Sequence, residues 1–317
     1  MTSPRVALIG ARRVRQGLGP FVARDLRAAG ATLAGFVGTS PASIEAAGRA
    51  LAEGFGIELR GYPDLEALRA AESPDALAIL SPAETHGRWL DAALAAGLHV
   101  LCEKPLLWDE PEAPRHARRL ARGFDAAGLV LHENCQWPFT LPAFEALHPG
   151  ALRRPERFAM RLSPASAGRR MLGDALPHAL SLLQTLAPAA EARLEGVQLS
   201  TRDPSARELE VRFLYAAPPA AIETRVHLVQ SQRLPREAGY SVNERSVRRE
   251  VRPPDYGICF VADGREVAVP DPLGRLVARF VEEVASPPVS RSASRTPEIV
   301  QRVELLDALL RAWDAGA

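Results

Sequence analysis

Short apolar runs alternate with segments of helical periodicity through the first 130 residues. Val6-Ala7-Leu8-Ile9-Gly10 reads as a buried strand that ends in glycine. From about Leu18 to Ala29, Phe21, Val22 and Leu26 share one helical face, and Gly30 closes the segment. Leu33–Val37 is the next strand. A helix follows over Pro41–Gly54, opened by Ser40 as cap and Pro41 at its first turn. The pattern then predicts a weak strand at Ile57–Leu59, a helix at Leu65–Ala71, a strand at Ala76–Leu80 and a helix at Glu84–Ala96. A strand at His99–Cys102, a helix at Pro114–Ala127 and a strand at Gly128–His132 complete the series. Strands alternating with helices at this spacing call for a parallel sheet covered on both faces.

After about Asn134 the period changes. Arg157–Leu162, Leu194–Thr201, Glu208–Tyr215, Glu223–Val229, Tyr240–Val251, Ile258–Ala262 and Glu266–Val269 alternate apolar with polar residues, as strands with one wetter face do. Helices are expected at Pro177–Leu186, at Pro272–Val284, and from Thr296 to about Trp313. The expected fold is therefore α/β: a doubly wound parallel sheet over residues 1–130, then an α+β domain over 131–317 with a large open, mainly antiparallel sheet. The open face of that second sheet is the expected homo-oligomer surface, as dimer or tetramer, because an apolar sheet face tends to be covered by a partner.

Composition narrows the function. Lys plus Arg (39) balance Asp plus Glu (38), so no global field draws the chain to nucleic acid or an anionic membrane. The three cysteines, Cys102, Cys135 and Cys259, are far apart and form no metal-ligand spacing. The first apolar run is too short for a signal segment, and no stretch approaches a membrane span, so a cytoplasmic protein acting on a small molecule is expected.

Four stretches carry candidate chemistry. Where a phosphate-binding loop reads G-x-G-x-x-G, this chain reads Gly10-Ala11-Arg12-Arg13-Val14-Arg15. Only Gly10 is in place. Arg12 and Arg13 either grip phosphates at the helix amino end or mark weakened dinucleotide binding. The second strand ends in Gly38-Thr39-Ser40, with no acid for a ribose hydroxyl. Thr39 and Ser40 suit a 2′-phosphate, which favours NADP, with NAD possible; Ser40 is also the natural cap of the next helix. Ser81, Pro82 and His86 follow one strand, and Glu103-Lys104-Pro105 follow another, at the sheet edge where open α/β folds bind ligands. Lys104 beside a carboxylate can position a hydroxyl; the alternative is a surface ion pair. Finally, Asp174 and His178 stand four residues apart, on one face of a helix. They form a carboxylate–imidazole pair for proton transfer, unless Asp174 is only a cap and His178 only core.

In order along the chain, these pieces resemble the Gfo/Idh/MocA oxidoreductases, the family of glucose-fructose oxidoreductase and inositol dehydrogenase. Ser81-Pro82 through His86 is similar to the family's T-P-x-x-x-H turn. Ala96-Gly97-Leu98-His99-Val100-Leu101-Cys102-Glu103-Lys104-Pro105 is similar to A-G-K-H-V-x-x-E-K-P. Asn134 matches the asparagine of N-x-R, and Asp174 and His178 match the acid and histidine of D-x-G-x-H. The resemblance implies a Rossmann domain followed by an open-faced α/β domain, and NAD(P)-dependent hydride transfer to or from a sugar, cyclitol, keto or imine substrate. It implies Lys104 as the active-site lysine, Asp174 as the carboxylate and His178 as the acid/base. Gly10, Arg12, Arg13, Thr39, Ser40, Ser81, Pro82, His86, Glu103, Lys104 and Asn134 are implied around the cofactor. Arg12 and Arg15 in place of glycines, Gln136 for arginine and Leu176 for glycine depart from the pattern. A non-catalytic ligand-sensing or scaffold member of the same fold is the alternative. A reaction with transient oxidation and no net redox change is another. Arg169, Arg170, Trp137 and Tyr240 are further candidates for substrate contact.

Overall fold

The computed structural model of the protein describes residues 3–11, 17–201, 203–252, 257–288 and 294–316. Its first elements are β1 (Arg5–Ile9), α1 (Gly19–Ala28), β2 (Thr32–Val37), α2 (Pro41–Phe55), β3 (Gly61–Tyr62), α3 (Leu65–Glu72), β4 (Ala76–Ile79), α4 (His86–Ala95), β5 (His99–Cys102), α5 (Ala113–Ala126) and β6 (Leu131–Glu133). Then come α6 (Leu141–Leu147), β7 (Arg157–Leu162), α7 (Arg170–Leu186), β8 (Arg193–Thr201), β9 (Glu208–Ala217), β10 (Ala220–Val229), β11 (Ala238–Val242) and β12 (Arg245–Arg252). The chain closes with β13 (Gly257–Ala262), β14 (Arg265–Val269), α8 (Pro272–Ala285) and α9 (Thr296–Asp314). It divides into two compact units, Met1–Asn134 with Leu273–Val300, and Cys135–Pro272 with Gln301–Ala317.

The first unit holds a six-stranded parallel sheet of order β3-β2-β1-β4-β5-β6. Its central strands are apolar in succession because both faces are covered: Val6, Ala7 and Leu8 of β1 and all of β4 are fully buried. Pairing aligns Val37, Ile9, Ile79, Cys102 and Glu133 in one row across the sheet. The next residue of each strand is Gly38, Gly10, Leu80, Glu103 and Asn134. Register alone therefore brings three candidate site residues to one carboxyl edge. An ion cluster fixes α8 to this unit: Glu283 accepts from Arg279 Nε at 3.0 Å and lies 2.8 Å from His132 Nε2 of β6. Burial alone would raise the Glu283 carboxyl, but its contacts with His132 and Arg279 prevail and hold it at about 2.

The second unit holds an eight-stranded sheet of order β14-β13-β12-β11-β7-β10-β9-β8. Every pair is antiparallel except β7 with β10, and α7 packs over those two strands. Leu172, Leu176, Leu180 and Leu183 of α7 are fully buried, each contributing about 1.5–3 kcal/mol over an exposed position. That burial fixes the helix firmly. The other face of the sheet is charged rather than apolar. Glu210 accepts from Arg225 Nε at 2.8 Å and also from Arg212, while Arg161 pairs with Glu237 and Arg157 with Glu244. The apolar ground for an oligomer surface there is thus absent.

Four expectations about individual elements are corrected. The strand expected at Ile57–Leu59 lies at Gly61–Tyr62. Tyr240–Val251 is not one strand but β11 and β12, turning at Asn243 and Glu244, which have φ of 48° and 71°. Helix α6 was not expected. Helix α7 begins at Arg170 rather than Pro177, so Pro177 stands inside it and Asp174 is not its cap. No helix among the described residues is long and apolar enough to cross a membrane.

Candidate active site

The first cluster lies at the carboxyl edge of the parallel sheet. Gly10 has φ +89°, and a Cβ there would meet Ser81 N at 2.6 Å and the Leu80 carbonyl at 2.7 Å. A Cβ on Gly19 would meet the Ala11 and Gly10 carbonyls at 2.8 Å. The turns after β1 and β4 therefore touch backbone to backbone, and α1 starts directly against the end of β1. This is the point where the strand order reverses, beside the amino end of a helix. Residues of that kind fit a dinucleotide pyrophosphate. Arg12 and Arg13 lie outside the described residues. At the end of β2, Ser40 caps α2: its hydroxyl accepts from Ser43 N at 3.2 Å, and Ser43 Oγ accepts from Ser40 N at 2.9 Å. Thr39 is exposed, between Gly38 and Ser40 in the chain.

Ser81 Oγ shares a 2.6 Å hydrogen bond with Thr85 Oγ1. His86 is buried, with Nδ1 2.8 Å from the Pro105 carbonyl and Nε2 2.9 Å from the Ser81 carbonyl. Its ring is a strut between the loop after β4 and the loop after β5, so it shapes the edge through two backbones. Glu103 follows β5 directly. Burial pushes its carboxyl up, against the pull of Lys104, the Asn134 amide and His86. Asn134 Nδ2 donates to Glu103, while Asn134 Oδ1 is buried without a hydrogen-bond partner, an acceptor that a ligand N–H would satisfy. Leu106 N donates to Glu133 Oε1 at 2.9 Å, which sets the turn beyond the cis Lys104–Pro105 bond. Lys104 is the single lysine of the chain, among 39 Lys plus Arg.

The second cluster is carried by α7. From Met171 to Gln184 every residue is buried except Asp174 and His178, which are half-buried one turn apart on one face. Helix-interior position and partial exposure set aside the readings of Asp174 as cap and His178 as plain core. Ser166 Oγ donates to Asp174 Oδ2. The His178 ring lies 6.2 Å from that of Trp137, and the Arg249 guanidinium sits 5.6 Å over the same indole. Arg249 Nη2 donates to the Arg236 carbonyl at 3.0 Å, and the charge of Asp174 acts on Arg236. A carboxylate oriented by a hydroxyl, one turn from an imidazole against an indole, is an arrangement suited to moving a proton.

Trp137 thus borders the pair, but Tyr240 does not. It is 3% exposed, stacks on Phe144 at 5.1 Å, and its hydroxyl lies 3.1 Å from Thr140 Oγ1; burial raises its phenol. Arg169 is held by Asp314, with Nε 2.8 Å from Oδ1, and Arg170 is exposed. Sequence reasoning missed Ser166, Glu133, Arg236 and Arg249. Only Arg249 left a signal: it shares strand parity with buried Val247, a charge at a position that should be apolar.

The fold defines the class, a Rossmann-type chain with a second sheet-bearing unit. Residues 4–134 match the profile of GFO_IDH_MocA, described as an oxidoreductase family with an NAD-binding Rossmann fold. That stretch, about two fifths of the chain, is similar to the NAD-binding domain of the Gfo/Idh/MocA family. Over 83 residues it is 45% identical to a dTDP-3,4-didehydro-2,6-dideoxy-alpha-D-glucose 3-reductase of Actinomadura kijaniata, covering 26% of this chain and 23% of that protein. Over 110 residues it is 34% identical to a D-apiose dehydrogenase of Paraburkholderia graminis, covering 34% and 28%. The matches span about a quarter of the length of these relatives. A solved inositol dehydrogenase homolog of Azotobacter vinelandii, complexed with NADH and myo-inositol, aligns with a TM-score of 0.72 over 99% of this chain and 96% of that one. At 17% identity, that likeness speaks for the fold alone.

Proposed function

We propose that the protein is an NAD(P)-dependent oxidoreductase that transfers a hydride to or from a small polar substrate of the sugar or cyclitol class. Lys104, Asp174 and His178 are its proton-transfer and positioning residues. The observation that carries this reading is the singular lysine. In a chain that uses arginine at every other Lys/Arg position, an amine stands beside a half-buried carboxylate at the ligand edge of the sheet. A guanidinium cannot replace it, because it is a planar, permanently charged fork, whereas an ammonium is compact and can exchange its proton.

In this reading Gly10, Thr39, Ser81, Pro82, Glu103 and Asn134 hold the dinucleotide, with Arg12 and Arg13 on its phosphates. Ser40 and His86 act by shaping the loops. When bound, the nicotinamide supplies or accepts the hydride. Lys104 Nζ hydrogen-bonds the reacting oxygen of the substrate, and Glu103 balances its charge. The His178 imidazole exchanges the proton that accompanies the hydride, and Asp174, steadied by Ser166 Oγ, fixes the imidazole's orientation. NADP is the preferred cofactor, on the support of exposed Thr39 and the missing acid after β2. Fluorescence titration with NADPH and NADH tests the whole reading. Binding of both, with NADPH tighter, is expected. Tighter NADH binding overturns the cofactor preference, and no binding of either at millimolar concentration overturns the function.

A further inference from the structure

We propose that Arg236 and Arg249 form a carboxylate-recognition point beside Asp174 and His178, so that the substrate is a sugar acid or similar polyol acid carrying one carboxylate. This deepens the oxidoreductase reading and rests on it for what happens after binding.

Two half-buried guanidinium groups, each with its Nε atom buried, stand together in the second unit. Arg249 lies on β12 opposite Phe260, on the same face as buried Val247, where the strand pattern calls for an apolar side chain. Its Nε is buried without a hydrogen-bond partner. Its Nη2 reaches only as far as the backbone carbonyl of Arg236, so that bond neutralises no charge. Burial disfavours the charged form of Arg249, and the positive charge of Arg236 adds to the effect. Arg236 is likewise disfavoured by burial, with Asp174 as the opposing carboxylate. A buried guanidinium keeps its charge and is costly to hold unless an anion meets it.

Asp174 thus acts on Arg236, while Arg249 faces another positive group and no carboxylate among the described residues. One substrate carboxylate matches the single charge of Arg249, and its two oxygens match the planar fork of a guanidinium. A phosphomonoester, close to doubly charged at neutral pH, overshoots it. The Trp137 indole is the wall common to both groups, with Arg249 over it and His178 beside it. An anion held at Arg249 thus lies along the same wall as the imidazole. Arg169, by contrast, already has its carboxylate in Asp314.

The test is ligand-observed NMR titration of the full chain without NAD(P)H, using D-glucuronate, D-galacturonate and D-gluconate against D-glucose, D-galactose and D-glucose 6-phosphate. At least one acid is expected to bind ten-fold or more tightly than its neutral counterpart, and added salt to weaken that binding. Arg249→Met should abolish the difference, and Arg249→Lys should restore only part of it. Arg236→Gln, at a half-buried position, gives the same readout should Arg249→Met fail to fold. Equal binding of acids and neutral sugars, or no effect of either substitution, overturns the proposal. So does tighter binding of the phosphate. Acid binding without any turnover keeps the carboxylate point and overturns the oxidoreductase reading. Turnover of neutral sugars with Arg249→Met unaffected does the reverse.

Discussion

The cluster at the edge of the parallel sheet and the cluster on α7 are built by opposite means. In the first, polar side chains mostly hold backbone: His86 reaches two carbonyls, Glu133 takes the Leu106 N–H, and Ser40 caps α2. Its shape follows from strand register and from glycines that no other residue can replace. In the second, side chains meet side chains, from a nearby loop (Ser166 with Asp174) and from segments far apart (Trp137 with His178, Arg249 with Trp137). The first is a shaped surface that carries one amine, the lysine. The second is a chemical group placed on a rigid rod. The lesson is that binding can be specified by backbone, while proton transfer and selectivity need contacts that only the tertiary fold assembles.

The largest expected effect tests whether both clusters serve one reaction. Lys104→Met and His178→Gln should each lower kcat by roughly 10²–10⁴ while leaving the dissociation constant for NADPH unchanged. The double variant should be little worse than either alone, as for residues that act as a unit. Simple multiplication of the two losses would separate the clusters. Next, Gly10→Ala attacks the backbone-built cluster. The φ of +89° alone costs of order 1–3 kcal/mol, and the 2.6 Å approach to Ser81 N adds to it. Thermal denaturation should show a clearly lower Tm together with weakened NADPH binding; an unchanged Tm would mean the turn is softer than drawn.

A smaller effect concerns pH. Glu283 is held at about 2, below its ordinary 4.5. A depressed carboxylate contributes stability in full above 4.5 and loses it as pH falls toward 2. Tm should therefore drop across that window, and Glu283→Gln should flatten the drop; parallel curves would refute the role of this cluster in holding α8. Smallest of all is Arg169→Ala. The Arg169–Asp314 pair is partly exposed and worth about 0–1 kcal/mol, so Tm should barely move and substrate KM should stay as it was. A large rise in KM would return Arg169 to the substrate and weaken the case for Arg249.

Much of the fold was legible because register and burial follow from local pattern. His99–Cys102 and Arg157–Leu162 are strands at the expected residues, since an unbroken apolar run and a clean alternation leave little choice. The turn at Asn243–Glu244 was hidden because a glutamate stands where a hairpin of this kind usually has glycine. Asn243 anchors the turn instead, its Oδ1 accepting from Glu156 N at 2.8 Å and Arg157 N at 3.0 Å. Pro177 misled in the other direction. Proline usually opens a helix, but the burial of Met171, Leu172 and Leu176 carries α7 through it, at the loss of the bond its N–H would have made to Gly173. Among the candidate residues of the two clusters, Lys104, Asp174 and His178 stood out by spacing and type. Arg236 looked like an ordinary loop arginine, because its significance depends on Asp174 and Arg249, which are remote in sequence.

The lone lysine has a practical consequence. Apart from the chain's amino terminus, Lys104 Nζ is the only primary amine, and the residue after it is Pro105. Amine-selective acylating reagents will therefore mark one internal position, and lysine-directed proteases find no ordinary peptide bond to cut. A single mass increment on the peptide containing Lys104 becomes a stoichiometric gauge of how accessible that amine is. Its suppression by added ligand can be followed in crude mixtures, with no need to know which substrate the protein turns over.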